Sequence, residues 1–357
     1  MRTSTRNTAV VVPARSPVRN VGGGAVLPAS FDIRTAFDFA VSLAVEVGEH
    51  DDLPAEDRAW LARSRAALPE QLRQTIDDEI CIFAAGLAVD RPDVRDAAGL
   101  VRLLHETSGA AFTQAVLADS LRDPEMQLDV TAALAGDPEA ATRISACWPE
   151  QKHDSVARLL VEPDAIAADV AALMGAWLPY YQEIEPRVAA MIKRDVEQRS
   201  EDRATLGAAD LIEHTTNGIR WLSEPGVRRV VLAPSYLVRP YNFTFAGGDW
   251  RLFVYPVADT ALEAHDPLAP PQGVLRLHRA LGDESRLRIL RLLRDRDWYL
   301  TEIAERLSLS KPTIKHHLAQ LRAAGLVTLT EEGGLSYYSL RRDRLDDASS
   351  ELKRYLA

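Results

Sequence analysis

Thr313, His316 and Gln320 recur at spacings of three and four within the segment 311–324. A helix turns about 100° per residue, so they share one face, opposite Ile314, Leu318 and Leu321. A face of donor and acceptor side chains is what reads base edges in a DNA major groove. Gln320 suits a bidentate pair with adenine, Thr313 suits either base type or a thymine methyl, and His316 suits a guanine or a phosphate. Lys311 and Lys315 flank that face and, with Ser310, are candidate contacts to the DNA backbone. His317 falls at the edge of the apolar side and reads as a packed, half-buried histidine. The adjacent pair is poor metal geometry, because neighbouring helical residues do not share a face.

Presenting that face requires the stretch LTEIAERLSLSKPTIKHHLAQLRAAGL, residues 300–326, to fold as two short helices around a turn at Ser308-Leu309. Thr301 is expected to cap the first, with Glu302 in its first turn. Ser310 is expected to cap the second, with Pro312 where a missing N–H costs nothing. Beneath them, Val274, Leu277 and Leu281 form one stripe, and the leucines and isoleucine of 287–293 predict a second, largely buried helix. After Gly325, LVTLTEEGGLSYYSL alternates as two strands around Glu332-Gly333-Gly334, a wing, and Arg341 and Arg342 follow as further backbone contacts. Leu345, Ala348, Leu352, Tyr355 and Leu356 mark a closing helix.

The segments LHRALGDESRLRILRLL, LTEIAERLSLSKPTIKHHLAQLRAAGLV and SYYSL together resemble the bacterial arsenic-repressor-like winged-helix regulators, over the last quarter of the chain. The resemblance implies a homodimer in which Leu277, Leu281, Leu352 and Tyr355 contribute to the subunit contact. It also implies an inverted-repeat operator and repression as the usual mode. Members that sense thiophilic metals carry cysteines on the third helix, where this chain has Asp297-Trp298-Tyr299-Leu300. On the closing helix Ser349, Ser350 and Glu351 stand in place of a His/Asp cluster, so no metal and no cofactor are expected. Glu331 and Glu332 occupy the wing tip where a basic residue is common. Ser308 stands where glycine is common, implying modest strain if that position is left-handed.

The charge distribution fits this placement. The net charge is −10, but residues 274–357 hold 16 Lys and Arg against 12 Asp and Glu, and residues 1–30 hold four arginines and no acid. Residues 31–273 then carry 22 basic against 40 acidic side chains, an acidic middle that is either a solvated surface or a means of confining DNA to the C-terminal module.

A length of 357 residues predicts two or three domains, in an α+β chain. Residues 1–29 read as a flexible extension. Residues 30–258 read as a mainly helical regulatory or dimerisation domain ending in a small β-hairpin or sheet, with Gly247-Gly248 turning the hairpin. Residues 259–273 read as a linker and 274–357 as the winged helix-turn-helix. The clearest helical stripe of the 30–258 domain runs Ile166, Val170, Leu173, Trp177, Tyr180, Ile184, Val188, Met191, with a kink or break expected at Pro179 and Pro186.

No apolar run approaches a membrane span, and Cys81 and Cys147 match no metal or redox spacing, so a cytoplasmic protein is expected. Double-stranded DNA and a second copy are the expected partners, with an unidentified small-molecule effector for the upstream domain. No phosphate loop, zinc helix or nucleophile elbow supports an enzyme. The alternatives left open are an enzyme, or a protein-binding scaffold, fused to a regulatory winged helix.

Overall fold

The computed structural model describes residues 27–44, 52–77, 80–148, 153–262, 270–332 and 335–356. The first 26 residues of the expected extension, Gly333-Gly334 at the wing tip, and 263–269 of the expected linker lie outside the described residues. Ala29, assigned above to the extension, already belongs to strand β1 (Ala29–Phe31).

Helices α1 (Thr35–Val41), α2 (Ala55–Ala66), α3 (Glu70–Asp77), α4 (Ala84–Ala88), α5 (Ala97–Glu106) and α6 (Gly109–Val116) follow. Next come α7 (Pro124–Leu134), α8 (Pro138–Ala146), α9 (His153–Val161), α10 (Pro163–Gln198), α11 (Ser200–Thr205) and α12 (Ala208–Thr215). The central α10 is 36 residues long and runs unbroken through Pro179 and Pro186. Both prolines lie on the exposed side, so the carbonyls they leave without donors can meet water. The expected break therefore does not occur. The stripe is as expected except that Tyr181, not Tyr180, takes the fully buried place after Trp177.

Strands β2 (Ile219–Arg220), β3 (Arg229–Ser235), β4 (Phe243–Ala246) and β5 (Trp250–Pro256) complete the upstream region. The expected hairpin is β4 against β5, with Phe243 opposite Val254. Beyond it the sheet has the order β1-β3-β5-β4, and β1, β3 and β5 run parallel. Asp38 of α1 fastens the sheet to the helices. Its carboxylate is fully buried and accepts from the backbone N–H of Tyr236 (2.6 Å) and Leu237 (3.0 Å), from the Ser235 hydroxyl, and from the Tyr181 hydroxyl of α10 (2.8 Å).

The C-terminal module comprises α13 (Gln272–Leu281), α14 (Glu284–Leu293), β6 (Trp298–Tyr299), α15 (Leu300–Leu307), α16 (Lys311–Ala323), β7 (Val327–Glu332), β8 (Leu335–Leu340) and α17 (Arg342–Leu356). Leu277, Ile289, Leu293, Ile303, Ile314, Leu318, Leu321 and Val327 share one core. Helix α13 begins two residues before Val274, inside the expected linker, and Asp259–Ala261 at the linker's other end is a short 3-10 turn.

The wing is a four-stranded sheet of order β2-β7-β8-β6. Its outermost strand, β2, comes from the upstream region and pairs in parallel with β7, Ile219 opposite Leu329 and Arg220 opposite Thr330. The two parts of the chain thus share a sheet.

Candidate nucleic-acid interface

Helix α16 begins as the sequence predicts. The Ser310 Oγ accepts from the Thr313 N–H (3.2 Å) and lies 2.6 Å from the Thr313 Oγ1, so cap and candidate base reader are joined. Helix α15 is capped otherwise than expected. Thr301 lies inside the helix, and the Glu302 carboxylate reaches back to accept from the Tyr299 N–H (3.0 Å). Between the helices Ser308 adopts φ 56° and ψ 42°, the left-handed conformation that a side chain disfavours. Ser308→Gly is expected to stabilise the chain by about 0.5–1 kcal/mol, since the strain exceeds the extra freedom glycine has when unfolded. Urea denaturation followed at the tryptophans checks this, and a loss of stability would refute the strain argument.

With Ile314, Leu318 and Leu321 buried, α16 turns Lys311, Thr313, Lys315 and His316 fully outward, and Gln320 remains half-buried on the same side. Lys311 and Lys315 make no ion pair among the described residues. His317 is half-buried as expected, with its Nδ1 3.8 Å from the Asp283 carboxylate, and burial holds its imidazole below the usual range.

Arg341 and Arg342 are each tied to another part of the chain. Arg341 is half-buried and its Nη1 donates to the Asn217 Oδ1 (3.4 Å), while Arg342 donates to the Arg294 carbonyl (2.6 Å). The side chains of Glu331 and Glu332 lie outside the described residues. Among the expected subunit-contact residues, Leu277 is fully buried in the module's own core and has no surface left for a second copy. Leu281 and Leu352 are half-buried, and Tyr355 at the end of α17 is exposed beside Leu356.

The junction with the upstream region was not anticipated. Asn217, at φ 54°, donates from its amide to the carbonyls of Arg322 (3.3 Å) and Ala323 (2.9 Å), satisfying acceptors that the end of α16 leaves open. Gly218, at φ 116°, lies against the wing, where an added Cβ would stand 3.0 Å from the Val327 carbonyl. Its own carbonyl accepts from the Leu329 N–H (2.8 Å).

A second contact is ionic. On α13, Arg276 pairs with Asp52 (2.8 Å) and Asp259 (2.9 Å), and Arg239 pairs with the same two carboxylates. Burial pushes the Asp52 carboxyl above its usual range despite both arginines. For Asp259 burial works in the same direction, but Arg239 and Arg276 prevail and hold it below that range. The Asn217-Gly218 pair was the one legible signal here, a dipeptide suited to left-handed backbone.

Residues 283–328, from the cap of α14 to the start of β7, match the family described as bacterial regulatory protein, arsR family. The transcriptional repressor SdpR of Bacillus subtilis is 39% identical over 70 residues, covering 20% of this chain and 78% of SdpR. The HTH-type transcriptional regulator CmtR of Mycobacterium tuberculosis is 42% identical over 80 residues, 22% of this chain and 68% of CmtR. The solved structure of HlyU from Vibrio cholerae N16961 is 30% identical, covers 24% of this chain and 94% of its own, and gives a TM-score of 0.20.

Proposed function

The chain belongs to the bacterial arsR family of regulatory proteins, a DNA-binding transcriptional regulator on that ground, and we propose that it is a repressor that binds an inverted-repeat operator as a homodimer. In this reading α16 enters the major groove, Thr313, His316 and Gln320 meet base edges, and Ser310, Lys311 and Lys315 meet phosphates. The observation that carries it is the outward face of α16, where these polar side chains stand opposite a buried stripe and the two lysines are unpaired among the described residues. The upstream region serves as the sensing or dimerising part, acting through β2 and the Arg276 ion pairs.

Selection of bound sites from random DNA with the full-length protein tests this. A twofold site with half-sites about one helical turn apart is the expected result. A single unrepeated site would exclude the dimeric mode, and binding without salt dependence would exclude phosphate contact. On the selected site, Gln320→Ala is expected to cost about 1–3 kcal/mol and to relax preference at one base position. Uniform loss on every sequence would reassign Gln320 to the DNA backbone.

A further inference from the structure

Between the upstream region and the C-terminal module lies a cleft of about 360 Å³, walled by Asp52, Arg199, Arg239, Asp259, Arg276 and Ala323. Its position is unlike that of a surface dimple, because α13 and the end of α16 supply Arg276 and Ala323 while the rest comes from upstream. Ligand sites favour such boundaries, and this volume is within the usual range for a small molecule.

The cationic groups here are held unequally. The Arg239 side chain is only 2% exposed, and it donates from Nη1 to the Val257 carbonyl and from Nη2 to Asp259. Its Nε is buried with no hydrogen-bond partner. A guanidinium offers Nε and Nη2 along one edge, matched to the two oxygens of a carboxylate or phosphate. Asp259 is bonded at Nη2 and leaves the Nε donor without an acceptor. A buried donor left unmade is unfavourable, and a ligand filling that edge would relieve it.

The two carboxylates also differ in access. Asp52 is 3% exposed, whereas Asp259 is 33% exposed and faces the cleft. Arg276 shares Asp259 with Arg239, and its Nη1 lies 3.5 Å from the Ala323 carbonyl at the end of α16. Arg276 thus links Asp259 to the end of the helix that bears the DNA-facing side chains.

We infer that this cleft binds a small metabolite through an oxyanion, a carboxylate or phosphate group that takes the Nε edge of Arg239 in place of Asp259. Occupancy then changes the hold of the upstream region on α13. The site stands on its own geometry, and only its effect on DNA rests on the regulator reading. A ligand shifts that equilibrium by its differential affinity for the two arrangements.

Calorimetric titration of the full-length protein with succinate and, separately, with inorganic phosphate, at matched ionic strength, tests the site and distinguishes the two sources of oxyanion. Saturable binding of one of them at millimolar concentration is expected. Asp259→Asn, which removes the competing charge, is expected to tighten it about tenfold, equivalent to ~1.4 kcal/mol. Arg239→Met is expected to abolish it. Because a buried arginine variant can fail to fold, Arg276→Lys provides a milder test, with binding weakened severalfold in a protein whose thermal midpoint shows it folded.

Binding of neither anion, or binding that Asp259→Asn leaves unchanged or weakens, overturns the site. The bound anion is also expected to shift the DNA-binding curve on the selected operator. Saturable anion binding with no such shift overturns the coupling. A protein that binds the anion but no DNA sinks the regulator reading and leaves the anion site supported.

Discussion

Gly218→Val is expected to part β2 from β7 and to weaken the junction between the upstream region and the wing by about 2–3 kcal/mol. Two costs combine. The backbone at φ 116° is one that a β-branched residue scarcely adopts, and the new Cβ would meet the Val327 carbonyl at 3.0 Å. The Leu329 N–H, bonded at 2.8 Å to the Gly218 carbonyl, reports the separation. Its hydrogen exchange is expected to accelerate by a factor of about 30–150, the equivalent of that energy, while amides in the core of α10 keep their rates. Unchanged exchange at Leu329 would mean that the junction does not depend on β2. If the upstream region steadies α16, DNA affinity falls in the same variant; if it restrains α16, affinity rises, and the sign separates the two.

Asp38→Ala is expected to cost the upstream region more, about 3–5 kcal/mol, as several buried donors are left unmade at about 1–3 kcal/mol each. The substitution removes the acceptor for two backbone N–H groups and two hydroxyls in a place closed to water. Tyr181→Phe serves as the control, because it deletes one donor and leaves the carboxylate bound by the rest; a loss of about 1 kcal/mol is expected. Urea unfolding compares the two. Equal losses would show that the value of Asp38 resides in the Tyr181 bond alone.

What was legible in the sequence follows from the range of the forces involved. The phase of α16 could be read because Ile314, Leu318 and Leu321 recur with the helix period, and the cap could be read because Ser310 and the Thr313 N–H are three residues apart. Local rules were less reliable at α15, where Thr301 and Glu302 are both plausible at a helix start and the reach of the longer carboxylate decided. Pro179 and Pro186 suggested a break, yet each stands two residues past a stripe residue, Trp177 or Ile184, so the same period that marks the stripe sets both prolines on the solvent side, where a helix tolerates them.

The junction was illegible for a different reason. A strand of two residues has no period, and Ile219 finds Leu329 only through the fold. Arg276 lay on the polar face of a short helix, and Arg239, Asp52 and Asp259 are scattered over the upstream sequence until the fold gathers them. The same gathering redirects Arg341, which followed a strand as a DNA-contacting arginine would and instead reaches Asn217.

The strand that completes the wing is also the first part of it to be made. Ile219 precedes Leu329 in the chain, and β7 and β8 form a local hairpin that is made later than β2. Domains generally fold from the N-terminus during synthesis, so β2 stands ready as a template when β7 emerges and occupies its edge before another chain can pair with it. A fragment cut at 274 would lose that protection. Its β7 edge would be open, so the released winged module is expected to aggregate more readily than the full chain.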